Sequence, residues 1–230
     1  IKIDWLISVA GIMFFGGPND ISPDQHEEIL NTNTKGFTSI WYHFKNLMNP
    51  QSQNVTVGNQ EKSLSAAVTV ITSSTADFLS PFLSHYSGSK IDLDRNTQTV
   101  AWSNLNKPLR FNIILPALTN TTIIDNSLLP EQPECAAKVA QNYIATRNLM
   151  LTTGQPPLLV AQSILHNYLT SKVGDVTRVS ASTPGGYAQY NFLATINAKN
   201  QPDTAIKTYQ SLFSPSNADP ICPASAYKKD

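Results

Sequence analysis

The stretch from Glu134 to Lys172 constrains the fold most, because its apolar residues recur at spacings of three and four that only a helix gathers onto one side. Ala136, Ala140, Tyr143, Ile144 and Leu151 form a first stripe; Leu158, Ala161, Leu165, Tyr168 and Leu169 form a second. Between them Gly154 suits a left-handed stop, while Pro156 and Pro157 cannot prolong a helix but fit the first turn of a new one. Glu131 and Glu134 favour the positive start of the first helix, Lys172 the end of the second, and Gly174 its stop. The break is short enough for antiparallel neighbours, so an αα-hairpin is the expected scaffold.

The run from Trp5 to Phe15 has Ser8 as its one polar residue, and as a helix it would measure roughly 16 Å against the ~30 Å of a bilayer core. It does not span a membrane alone. It fits strand and helix spacing equally, and its apolar groups need covering, by the chain's own core or by another chain. A first residue other than Met suggests a processed product. Ser22 and Pro23 open a short acidic helix to Leu30. In Gly36 to Met48 the stripe Phe37, Ile40, Trp41, Phe44 and Leu47 or Met48 reads as a helix facing core or interface. Asn49 to Asn59 reads as a polar loop and hinge, Ser63 to Tyr86 as a helix, and Lys90 to Trp102 as a hairpin turning at Asp94 to Asn96. Leu109 to Leu115, Thr122 to Asp125 and Val176 to Val179 read as strands, with further helices near 188–198 and 202–213. The expected class is α+β, mainly helical, with the αα-hairpin and a small antiparallel β element. It forms a single extracytoplasmic domain over 1–230, with an apolar N-terminal segment (1–18), a mixed helix and hairpin part (19–133) and a helical part (134–230).

Charged residues make up only 14% of the chain, and 16 basic residues balance 16 acidic ones, so neither nucleic acid nor an anionic membrane is an expected partner. That polar but uncharged composition, with two cysteines, suits an exported protein. Cys135 and Cys222 read most economically as a disulfide closing roughly 90 residues, a link for which chain entropy gives about 4 kcal/mol; two separate buried thiols are the alternative. Ser87 to Lys90 and Ser225 to Lys228 match a bare Ser-x-x-Lys, but the companion elements of penicillin-recognising enzymes are missing. Asp92, Asp94 and Asn96 imitate the opening of a calcium loop, yet Thr97 stands where Gly is needed and Ser103 where Glu is needed. No nucleophile elbow, zinc motif, phosphate loop or dinucleotide fingerprint occurs, and the four histidines show no ligand spacing. No catalytic residue, metal or cofactor is therefore expected. Arg147 lies on the apolar side of its helix and must snorkel at the helix end or meet a carboxylate.

Cys135 to Tyr143, Arg147 to Leu149 and Ser163 to Leu169 resemble the helical block of IcmX-type periplasmic proteins of type IVB (Dot/Icm-like) secretion systems. The resemblance implies a non-enzymatic periplasmic subunit, oligomeric, assembled at the inner membrane with a DotA-type polytopic protein, and with no small-molecule substrate. On that reading Trp5, Leu6, Phe14, Phe15, Trp41, Phe44 and Arg147 form the interface. A secreted or surface module binding glycan or peptide is the alternative.

Overall fold

A computed structural model describes residues 1–16, 20–77, 82–125, 133–174, 176–181 and 187–191. Its centre is a five-stranded sheet of β1 (Trp5–Ser8), β4 (Ala66–Ile71), β5 (Leu109–Pro116), β6 (Val176–Ala181) and β7 (Tyr187–Asn191), in that spatial order. The first three junctions are parallel and the last antiparallel. A separate hairpin, β2 (Gln53–Val57) with β3 (Gln60–Leu64), turns through Gly58 at φ 61°. The helices are α1 (Pro23–Leu30), α2 (Gly36–Phe44), α3 (Ser84–Trp102), α4 (Pro133–Thr153) and α5 (Pro157–Thr170).

This is a parallel α/β architecture, which corrects the expectation of a mainly helical α+β fold with an αα-hairpin scaffold. Helices α4 and α5 do form where their spacing places them, but α5 lies along β4, β5 and β6. A helix covering a sheet needs the same apolar stripe as one covering another helix, so periodicity could not tell them apart. The expected helix over 63–86 contains β4, whose β-branched residues are buried on both faces between two parallel neighbours. The expected hairpin over 90–102 is the middle and end of α3. Its buried side includes Ser89, Lys90, Asp94, Thr97 and Gln98 beside Leu93 and Ala101, which hides any apolar stripe. The expected loop at 49–59 carries β2, residues 122–124 form a short 3-10 turn instead of a strand, and β7 occupies the start of the helix expected near 188. The helix expected over 202–213 lies outside the described residues.

The sheet is covered on both sides. Leu6, Val68, Val70 and Phe111 pack with Phe37 and Trp41 of α2 and Leu93 of α3. Ile71 and Ile114 face Val160 and Ile164 of α5. Among the described residues no helix is long and apolar enough to cross a membrane.

On the α5 side one buried cation ties the layers together. Arg110, 1% exposed, donates from Nε to Ser65 O at 3.0 Å and from Nη1 to Tyr168 O. Its guanidinium lies 4.9 Å from the Tyr168 ring centroid, and that ring stacks on Trp5 at 4.0 Å. Arg110→Ala would leave two carbonyls without a donor and a void between sheet and helix. We expect a loss of about 3–5 kcal/mol, read as a lower urea midpoint at unchanged m-value.

Candidate active site

The parallel strands β1 and β4 end at the same edge of the sheet, where open α/β folds bind ligands. Two loops and one helix end meet there. Thr72 anchors the loop after β4, its N–H donating to Ile114 O at 2.8 Å. Ser73 follows in extended conformation and caps the 3-10 turn Ser74–Ala76. Its Oγ accepts from Thr75 N at 3.2 Å and from Thr75 Oγ1 at 3.0 Å. With both lone pairs engaged, the Ser73 hydroxyl proton is left to donate, and its partner is the phenol of Tyr86.

Tyr86 stands in the first turn of α3, and Lys90 stands one turn later on the same side of the helix. Tyr86 is 8% exposed and Lys90 3%. Lys90 Nζ lies 5.6 Å from the Tyr86 ring centroid and donates to Ile71 O at 3.3 Å. Burial pushes the phenol up to about 12, offset in part by the Ser73 hydrogen bond. Burial likewise pushes the ammonium down to about 8. Both shifts express the cost of holding charge in a dry site.

Asn33 ties the loop after β1 to this helix. It sits in a π-helical turn, Asn31–Lys35, between α1 and α2, a local widening that often marks functional positions. Its Oδ1 accepts from Ile12 N at 2.8 Å, and its Nδ2 donates to Ile12 O and to Ser89 Oγ, each at 2.9 Å. Ser89 Oγ in turn donates to Tyr86 O at 2.7 Å. Gly11 lies where these groups converge. A Cβ there would stand 2.9 Å from Lys90 Nζ and 3.4 Å from Asn33 Oδ1, so glycine keeps the space beside the ammonium clear.

Apolar groups surround the phenol: Met13, Phe15, Leu83, Ile124 and Met150 are buried around it. Phe82 stacks on Phe15 with ring centroids 5.7 Å apart and holds φ at 62°, a strained value for a bulky residue. Gly16 N–H donates to Phe82 O at 2.8 Å and fixes that conformation. The arrangement can move a proton. A neutral buried phenol receives a hydrogen bond from Ser73 and keeps its own proton to give away, with a cation near to stabilise the phenolate left behind.

Sequence reasoning missed this site. Tyr86 and Lys90 meet only if both lie on one helix, and reading 90–102 as a hairpin separated them; the Tyr-x-x-x-Lys spacing was the available signal. In the Ser-x-x-Lys match at the same place, Ser87 Oγ is buried and makes no hydrogen bond to Lys90 or to any other described residue. The calcium-like residues Asp92, Asp94 and Asn96 lie on α3, and among the described residues no group of three or more His, Cys, Asp or Glu could hold a metal. Two histidines that are distant in sequence do meet: His26 Nδ1 and His85 Nδ1 are 2.7 Å apart.

Of the expected interface residues, Phe14, Phe15 and Trp41 are buried in the core, and Leu6 packs against it. Trp5 is half-buried against Tyr168, and Phe44 is 39% exposed. Arg147 meets a carboxylate, that of Asp125. Cys135 belongs to α4, but its side chain and all of Cys222 lie outside the described residues, as does their pairing.

The profile of the family described as enoyl-(acyl carrier protein) reductase matches residues 1–153. No curated protein matches the chain. A short-chain dehydrogenase/reductase from Burkholderia phymatum, solved in complex with NAD, superposes with a TM-score of 0.61 at 15% identity, covering 85% of this chain and 64% of that one. A short-chain dehydrogenase from Streptomyces avermitilis gives 0.58 at 13% identity, covering 94% and 71%. The angucycline C-6 ketoreductase LanV with bound NADP gives 0.55 at 16% identity, covering 79% and 62%. At such identities the likeness is one of fold. The chain spans less than two thirds of the ketoreductase's length.

These matches overturn the IcmX-type resemblance, and with it the non-enzymatic secretion subunit, the DotA-type partner and the exclusion of a small-molecule substrate. The glycan- or peptide-binding alternative falls with them. The block that carried the resemblance holds two amphipathic helices, a pattern that any helix laid on a sheet displays.

Proposed function

We propose that this chain, which belongs to the enoyl-(acyl carrier protein) reductase family, carries the proton-transfer half of a nicotinamide-dependent oxidoreductase acting on a carbonyl compound or its α,β-unsaturated derivative. The observation that carries this reading is the buried Tyr86 phenol, hydrogen-bonded by Ser73 and followed one turn later by buried Lys90.

The residues present fit the ribose and nicotinamide end of such a cofactor. Among the described residues Lys90 presents a buried ammonium with one long hydrogen bond, to Ile71 O, and so retains donors for a ribose diol. Gly11 leaves clear the space beside it that a side chain would fill. The 230 residues contain no Gly-x-Gly-x-x-Gly run, so the fit extends to that end of the cofactor alone. When bound, the dihydronicotinamide supplies the hydride.

The chain's own residues supply the rest. Tyr86 gives its phenolic proton to the substrate oxygen, which gains charge as the carbon is reduced. Ser73, with its own acceptor positions filled by Thr75, steadies the phenolate oxygen that remains. Lys90 lowers the cost of that phenolate by placing a cation within the same apolar pocket. Asn33 holds the loop after β1 against α3 through Ile12 and Ser89, and the Met13 and Phe15 side chains exclude water.

Reduced nicotinamide dinucleotide, followed by its absorbance with a panel of ketones and enoyl thioesters, tests this. Turnover is expected, and Ser73→Ala should lower kcat by about 10–100-fold, the effect of losing one hydrogen bond to a developing charge. Absence of turnover on every member of the panel, or an unchanged kcat in Ser73→Ala, would overturn the reading.

A further inference from the structure

An ionic cluster outside this site, buried at Arg178 and Asp94 and open to solvent at Asp77, grips both elements that build it. Arg178, on β6 opposite Ile113, is 6% exposed and faces α3. Its Nε donates to Asp94 Oδ2 at 2.9 Å, and its Nη2 lies 2.8 Å from the same oxygen. Nη2 also donates to Asp77 Oδ1. The other Asp94 oxygen accepts from Gln98 Nε2 at 2.6 Å.

We propose that Arg178 is a positioning residue of the active site: by holding Asp77 and Asp94 together it sets the Ser73 loop in register with the helix that bears Tyr86 and Lys90. The proposal rests on the role given above to Ser73 and Tyr86. Two levers make the argument. Ser73 and Asp77 are the two ends of one hydrogen-bonded turn, with Ala76 N–H donating to Ser73 O and Asp77 N–H to Ser74 O, each at 3.0 Å. A grip on Asp77 therefore orients Ser73. Tyr86, Lys90 and Asp94 follow at intervals of four residues along α3, so a grip on Asp94 sets the rotation of the side that carries the other two.

Stability alone explains the cluster poorly. A buried ion pair repays little of its desolvation, and apolar residues of similar volume commonly do as well. What apolar residues cannot do is join two carboxylates on separate elements through one planar fork, and lysine cannot do so either. Arg178→Lys keeps the charge and the burial but loses the fork, which separates positioning from charge balance.

The whole chain, labelled with ¹³Cζ-tyrosine, serves as the test, with the Tyr86 signal assigned through its loss in Tyr86→Phe. At pH 7 the Tyr86 shift in Arg178→Lys should move by the same amount as in Ser73→Ala, because both remove the serine donor from the phenol oxygen. The double variant should move no further. Asp77→Asn, which loosens the grip without stranding a buried charge, should reproduce the change if Arg178→Lys folds poorly. In turnover, kcat should fall about tenfold with KM within about twofold of wild type. An unmoved Tyr86 signal in both variants, or shifts that add in the double variant, would overturn the proposal. Failure of the functional reading looks different: the Tyr86 signal then moves as described while no substrate turns over.

Discussion

Tyr86→Phe is expected to lower kcat by about 1,000-fold while leaving the fold intact, because it deletes one oxygen and keeps the ring that packs among Met13, Phe15 and Met150. The Ser73 hydroxyl that remains is a far weaker acid than a phenol, and Lys90 Nζ stands 5.6 Å from the ring centroid and donates to Ile71 O, so neither replaces the lost donor. The pH behaviour of the wild type should follow the same two groups. Burial holds the phenol neutral up to about 12, so the donor for carbonyl reduction is present throughout the neutral range. Run toward alcohol oxidation, the site needs the phenolate, and the rate should climb about tenfold per pH unit between pH 6 and 8. Stability carries a separate signature. A phenol raised from about 10 unfolded to about 12 folded binds its proton more tightly in the native state, so native stability should decline from pH 10 to 12. Tyr86→Phe should remove that share of the decline. A variant that kept its turnover would exclude Tyr86 as the donor.

Lys90→Met should separate stability from activity. The ammonium is 3% exposed, has no carboxylate among its described partners, and is pushed down to about 8 by burial. Relative to its unfolded value near 10.5, that depression means the folded state pays to keep the group charged at pH 7. The native stability contributed by the neutral amine is present above pH 10.5 and is lost as pH falls to 8. Met fills the space of the alkyl stem without the charge, so at pH 7 the variant should gain up to about 3 kcal/mol in denaturant unfolding, and the gain should vanish above about pH 10.5. Its kcat should fall by about 100-fold or more, since the phenolate loses its cation. The wild-type reduction rate should drop above pH 8 as the ammonium discharges, and the residual rate of Lys90→Met should lack that limb. Equal stability of the two proteins at pH 7 would show that the ammonium costs the fold nothing. Keeping a group that destabilises the fold is intelligible where the group serves the reaction.

The chain made some of this legible and concealed the rest for definite reasons. Ser22 caps α1 with Pro23 at its first position, as read from the chain, and α5 begins at Pro157 as the double proline requires. Leu109 to Leu115, a nearly continuous apolar run interrupted by Arg110 and Asn112, is the central strand β5. Such features depend on contacts three or four residues away, or on a strand's need for burial, and both are written locally. The rest depended on partners far along the chain. Residues 66–71 became a strand because β1 and β5, at separations of about 60 and 40 residues, offered their edges to it. Residues 84–102 became a helix although their inward side is rich in hydroxyl, amide and charged groups, because Asn33, Ile71 O and Arg178 partner those groups beside the apolar core that takes Leu93 and Ala101. Local chemistry thus sufficed to mark where several helices and one strand begin and end. Only tertiary structure decided that these elements make a parallel sheet and bring Asn33, Ser73, Tyr86 and Lys90 together, because polar side chains acquire a stable buried place only when distant residues complete their hydrogen bonds.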